Sequence, residues 1–171
     1  MIHIRQIRTP EPSSLRNLCH LLQDAVRGSA SIGFLAPLGD ETAVHYWEHV
    51  FAHLADGLGL WVAESDGTII GSVQLERCGK ENGRHRAEVQ KLVVHSAFRG
   101  RGVSTLLMRA AEECARADGR TLLVLDTQAG SVAEAVYRHL GWQPAGQIPD
   151  YAATPNGVLH ATVYFYKRLT T

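Results

Sequence analysis

Apolar residues along this chain fall into short blocks, and their spacing gives the element each block forms. Ile2, Ile4 and Ile7 read as a short opening strand. Leu15, Leu18, Leu22 and Val26 recur at helical spacing, with Ser13 or Ser14 as N-cap. A loop rich in small residues, Gly28–Gly39, leads to a second helix. Its cap is Asp40, its apolar face is Val44, Trp47, Phe51 and Leu54, and Gly57 and Gly59 end it. Leu60–Ala63 and Ile69–Leu75 flank the turn Glu64-Ser65-Asp66-Gly67, a hairpin signal. A further strand spans Ala87–Val94, and a helix after residue 102 places Val103, Leu106, Leu107, Ala110, Cys114 and Ala117 on one face. Leu122–Leu125 reads as a strand covered on both sides. Ser131 caps a helix that Gly141 closes, Pro144–Gly157 is a long loop, and Val158–Tyr166 is a last strand.

The order β, α, α, β, β, β, α, β, α, β predicts an α+β fold in a single domain, residues 1–171. Its mixed, mostly antiparallel sheet carries helices on both faces. Residues 87–125 make a strand–loop–helix–strand unit, which predicts a parallel crossover.

Composition narrows the function. Lys plus Arg (17) equals Asp plus Glu (17), so the chain lacks the basic surplus that general nucleic-acid or anionic-membrane binding requires. No apolar run is long enough to span a bilayer, and the start has no signal pattern. The three scattered cysteines, Cys19, Cys78 and Cys114, suit reduced thiols and a cytoplasmic location. His45, His49 and His53 share one face of the second helix. That face lies opposite the apolar one, so it reads as a water-facing stripe, and no metal site is expected.

The sharpest chemical signal is Arg99-Gly100-Arg101-Gly102-Val103-Ser104-Thr105, between a strand and an amphipathic helix. Two glycines let backbone N–H groups turn inward, the helix adds its positive end, and two arginines add charge, which together suit a diphosphate. A P-loop needs a lysine after the glycines, and none follows. A dinucleotide fingerprint needs a third glycine where Thr105 stands and an acid near position 120, which is Arg120.

A third pattern fits better. Arg99, Gly102 and Ser104 follow Gln/Arg-x-x-Gly-x-Gly/Ala with one departure, Ser104. The strand Glu88-Val89-Gln90-Lys91-Leu92-Val93-Val94 precedes it, and Tyr137-Arg138-His139-Leu140-Gly141-Trp142 follows at a distance. Together these resemble the GNAT acetyltransferase superfamily over about residues 60–167. Glu88–Leu92, Arg99–Gly102, Leu125–Thr127, Ala129–Ala135 and Tyr151–Pro155 further resemble the tabtoxin-resistance type of acetyltransferase, which acetylates an antibiotic-like amino compound. Where many superfamily members carry an asparagine before the tyrosine, this chain has Gly130, with Ser131 beside it.

The resemblance implies acetyl-CoA as cofactor and an amine as acceptor. Leu92, Val93, Val94, residues Arg99 to Thr105 and Ser131 would hold acetyl-CoA. A lysine-like amine sits about three pH units, or about 4 kcal/mol, from its neutral nucleophilic form at pH 7. Glu88 or Asp126 either removes that proton or binds the ammonium ion and leaves the proton to water. The Leu92 amide would face the developing oxyanion, a contribution of about 3 kcal/mol. Tyr137 is the general acid for the leaving thiolate. Ser31, Phe34, Gln90, Trp142 and Tyr151 are the acceptor-side candidates.

A small amine, such as a tabtoxin-like compound or an aminoglycoside, is the acceptor these readings favour. Direct transfer would then confer antibiotic resistance by a monomer or homodimer, without nucleic-acid or membrane partners. An acetyltransferase for protein N-termini or lysines, and a non-catalytic CoA-binding sensor, are the alternatives.

Overall fold

The computed structural model describes residues 1–54 and 56–170. Among these residues, seven strands form one mixed sheet, and four α-helices pack on its two faces. The strands are β1 (His3–Ile7), β2 (Leu58–Ser65), β3 (Thr68–Arg77), β4 (Arg86–Val94), β5 (Leu122–Gln128), β6 (Gln143–Ala153) and β7 (Leu159–Arg168). The helices are α1 (Pro12–Arg27), α2 (Asp40–Ala52), α3 (Val103–Ala117) and α4 (Val132–His139). Their order across the sheet is β1-β2-β3-β4-β5-β7-β6. Among the described residues only β4 and β5 pair in parallel, joined through α3 as the crossover pattern predicts.

Two apolar cores sandwich the sheet. One packs Val103, Leu107, Met108, Ala111 and Ala115 of α3 against Val73, Leu75, Val89, Leu123 and Phe165. The other packs Leu18, Leu22, Trp47 and Phe51 of α1 and α2 against Ile7, Leu60, Val62 and Val93. No helix among the described residues is long and apolar enough to cross a membrane.

Several local readings are corrected. Residues 143–153, expected inside a loop, form β6, an edge strand paired only with β7. Pro144 and Pro149 are tolerated there because an edge strand leaves amides unpaired. Neither Ser13 nor Ser14 caps α1: Glu11 is the N-cap, Pro12 opens the helix, and Ser14 Oγ donates to Glu11 Oε2 at 2.7 Å. Asp40 is the first residue of α2 after the cap Gly39, and its Oδ1 accepts from Gln23 Nε2 at 2.6 Å. That helix ends at Ala52, ahead of both glycines. The buried face of α3 is rotated from the expected one: Leu106 is 38% exposed, whereas Met108, Ala111 and Ala115 are buried. Ser131 does cap α4, accepting from the Glu134 amide, while Glu134 Oε2 accepts from the Gly130 amide at 2.7 Å. This is a variant of the capping box, in which the Glu134 carboxylate takes the amide before the cap while the Ser131 amide donates to Gln128 O.

Candidate active site

A break in strand pairing makes the cleft. β4 and β5 pair only over Arg86–Leu122, Ala87–Leu123 and Glu88–Val124. Past Glu88, β4 runs on to Val94 and β5 to Gln128 without meeting, and β5 continues against β7 instead. A bulge in β4 accompanies the parting. Ser72 registers with Val93 but Gln74 with Gln90, so Val73 faces both Lys91 and Leu92. Lys91 takes φ 50°, a left-handed conformation costly for a non-glycine residue. The extra residue reverses the strand's parity. Ala87 and Val89 belong to the α3-side core, Leu92 and Val94 pack against that same core, and Val93 joins the α1–α2 side.

That reversal decides which amides face the gap. The His95 amide donates to Ile70 O on β3 at 2.8 Å, so by strand alternation the polar groups of Leu92 and Val94 point away from β3. Val94 O accordingly accepts from Arg99 Nε at 3.4 Å. Val93 is placed otherwise than expected: its side chain is buried in the α1–α2 core and its backbone registers with Ser72.

Glu88, Asp126 and Tyr164 share one face of the sheet across β4, β5 and β7. Glu88 registers with Val124, Asp126 lies two residues on, and Tyr164 is opposite Asp126. Glu88 is half-buried, and burial, with Glu76 and Asp126 nearby, pushes its carboxyl above the usual range despite Gln90 and Arg86. Asp126 Oδ2 accepts from Thr162 Oγ1 at 2.8 Å. The Tyr151 and Tyr164 hydroxyls are 2.7 Å apart, and that hydrogen bond, with burial and the nearby acids, pushes Tyr164 up to about 12. Gln90 Nε2 donates to Glu76 Oε2 at 2.6 Å, which leaves a second acid beside the same face. The geometry therefore gathers Glu88, Asp126, Gln90 and Tyr151 around one opening.

Tyr137 approaches from α4. It is buried, and burial and the Asp126 charge both hold its phenol strongly protonated. Its ring meets Trp142 and Phe165 edge-on or tilted, at centroid distances of 6.1 and 6.2 Å. Trp142, expected on the acceptor wall, is instead a core residue behind Tyr137, only 3% exposed. Ser131 Oγ already accepts from the Glu134 amide in the helix cap, so its proton and one lone pair remain for another partner.

The arginine–glycine segment follows a short 3₁₀ turn, Ser96–Phe98. Gly100 and Gly102 have φ of 73° and 76°, and nothing lies within 4 Å of where a Cβ on either would stand. Gly102 caps α3 with no side-chain hydrogen bond, which leaves the first-turn amides of Val103, Ser104 and Thr105 for an external acceptor. Arg101 lies over the Phe98 ring at 5.0 Å. Thr105 also edges a cavity of about 320 Å³ between α3 and the end of α4. An open strand edge leading to an uncapped helix start matches an extended thioester arm ending in a pyrophosphate.

Two segments roof the cleft. The Ala36 amide donates to Pro155 O at 2.8 Å, joining the α1–α2 loop to the β6–β7 turn. Most of the segment leading into the second, read from the sequence as a long loop, is strand. Phe34 in the first loop meets Tyr46 edge-on at 5.2 Å, and Ser31 is half-buried beside it. Gln74 Nε2 donates to Tyr46 Oη at 2.9 Å, and burial pushes that phenol up to about 12. Tyr46, Gln74, Lys91 and Tyr164 are further polar groups placed at the cleft that spacing alone missed. The available signal was Gln74 inside the β3 run and Lys91 directly after Gln90, where it breaks the polar–apolar alternation of β4. The histidine stripe is exposed, as expected, and no group of His, Cys, Asp and Glu suited to a metal occurs among the described residues.

The acetyltransferase (GNAT) family model matches residues 18–142. An uncharacterized N-acetyltransferase from the hisH–hisA intergenic region of Azospirillum brasilense is 32% identical over 129 residues, covering 74% of this chain and 76% of that protein. Rat N-acetyltransferase 8 is 38% identical over 56% of this chain, which spans only 45% of that relative's length. Among solved structures, the ribosomal-protein-alanine N-acetyltransferase of Brucella melitensis is 25% identical with TM-score 0.80, covering 98% of this chain and 99% of that one. The yncA protein of Salmonella typhimurium, solved with its cofactor acetyl-CoA, shares the fold at TM-score 0.80 and 18% identity, over 100% and 95% of the two chains. This chain belongs to the GNAT acetyltransferase family, an N-acetyltransferase whose acetyl donor is acetyl-CoA.

Proposed function

We propose that this enzyme acetylates a primary amine of a small molecule, of the kind found in amino-compound toxins and antibiotics. The observation that carries the reading is the joining of the α1–α2 loop to the β6–β7 turn through Ala36 and Pro155. A roof over the acceptor side suits a compact molecule better than a continuous peptide.

Bound acetyl-CoA would supply a thioester carbonyl and a thiolate leaving group. The amides of residues 102–105, with Arg99 and Arg101, would bind its pyrophosphate. The Leu92 and Val94 amides would line its arm, with Leu92 donating to the carbonyl oxygen as negative charge gathers there. Asp126 would hold the acceptor's ammonium ion. Glu88 would take its proton, directly or through water, because its raised pKa narrows the gap to the amine. Tyr137 Oη, kept protonated by burial, would give a proton to the departing sulfur.

A second reading rests on the Brucella melitensis neighbour, named for acetylating a ribosomal-protein alanine. It would require the roof to open for a chain end. Thiol release from acetyl-CoA, measured against aminoglycosides, amino-acid antibiotics, polyamines and N-terminal peptides, separates the two. Turnover confined to peptides would reject the small-molecule reading.

A further inference from the structure

Lys91 is a cationic residue of the cleft that the transfer chemistry above leaves without work. It is the extra residue of the β4 bulge, held at φ 50°. Its side chain is half-buried, and its Nζ would lie 3.4 Å from a Cβ on Gly33, which places the ammonium under the loop that roofs the acceptor side. Among the described residues no ion pair or hydrogen bond joins this ammonium, although burial and the more distant charges of Asp126 and Glu88 act on it. An ammonium carries three N–H donors, and desolvating them without an acceptor is costly. The neighbouring acids have other work: Glu76 takes Gln90, Asp126 takes Thr162, and the proposed function gives Glu88 and Asp126 the acceptor amine.

Resting on that proposed function, we infer that the acceptor is an amine that also bears a carboxylate, and that Lys91 binds the carboxylate while Glu88 and Asp126 receive the amine. The site then offers a cation and an acidic pair to the two ends of one dipolar molecule. A charge-assisted bond to Lys91 fixes which end enters the cleft. The bulge is what permits this. On a regular strand the side chain at this position would share the face of Val89 and enter the α3-side core.

The test is a comparison of matched pairs, α- and ω-amino acids against their carboxamides, each with acetyl-CoA and thiol release as readout. The wild-type enzyme should prefer the acid of the best pair by about tenfold or more in kcat/KM, carried by KM. Lys91→Met should bring that ratio close to unity, and Lys91→Arg should retain most of it. Equal use of acids and amides by the wild type would overturn the inference and leave the acetyltransferase reading standing. A preference that survives in Lys91→Met would overturn it too, as would a loss of acetyl-CoA affinity in that variant as large as the loss of discrimination. Absence of thiol release with every amine would overturn both readings together.

Discussion

The Asp24 carboxylate accepts from both the backbone amide and the hydroxyl of Ser96, at 2.8 and 2.9 Å, across 72 residues of sequence. It ties the end of α1 to the turn that presents Arg99–Gly102. Burial works against the charged carboxylate, but the two Ser96 donors, with His95 and Arg99, outweigh it and hold the pKa below the usual range. A carboxyl depressed in the folded state stabilises above its unfolded value and loses that contribution as pH falls through the folded one. Asp24→Ala should therefore cost about 1–3 kcal/mol at pH 7. In urea titrations the gap to wild type should shrink below about pH 3.9, the ordinary aspartate value. A gap that is constant with pH would show that the ion is not the stabilising species.

Tyr137→Phe removes one oxygen and keeps the ring between Trp142 and Phe165. The variant should fold with a melting temperature near that of wild type and bind acetyl-CoA with nearly unchanged affinity. Its kcat should fall about a hundredfold or more if the phenol gives the proton to the leaving thiolate. A collapse of cofactor binding with kcat preserved would assign Tyr137 to binding instead.

Glu88 predicts a pH profile. Its carboxyl is raised by burial and by Glu76 and Asp126, so the ionised base is lost as pH falls through a value above about 4.3, the ordinary glutamate figure. The ascending limb of kcat/KM should have its midpoint above that figure. Glu88→Gln should erase this limb and lower the plateau about a hundredfold. An unaltered limb in the variant would pass the base role to another group.

Arg99 and Arg101 alternate with Gly100 and Gly102, which keep open space around the turn. Replacing both with alanine should weaken CoA more than an acyl-pantetheine that lacks the pyrophosphate, and the difference should shrink with added salt. Equal losses for both ligands would remove the phosphate role.

What the sequence made legible follows from what each feature depends on. The arginine–glycine turn, the Ser131 cap and the crossover from β4 to β5 rest on local chemistry, so residue type and spacing were enough. β6 escaped because its residues are exposed on both faces except near its end, so no apolar alternation marks it; it exists only through its pairing with β7. The position of the bulge, at Lys91, escaped because no glycine advertises its left-handed backbone. Trp142 was misplaced because an aromatic residue beside a catalytic candidate packs a core as readily as it lines a wall. The rotated face of α3 shows the same limit: Leu106 fits the helical period, but the sheet's position selects Met108 and Ala111.

Calorimetric titration of the purified chain with coenzyme A tests the central claim most directly, because every proposed role depends on the splayed strand edge and the uncapped start of α3 receiving this molecule. The account predicts saturable one-to-one binding in about the micromolar to sub-millimolar range typical of enzyme substrates, weakened when Gly102 is replaced by valine. No heat of binding at millimolar coenzyme A, or binding indifferent to that substitution, would contradict it.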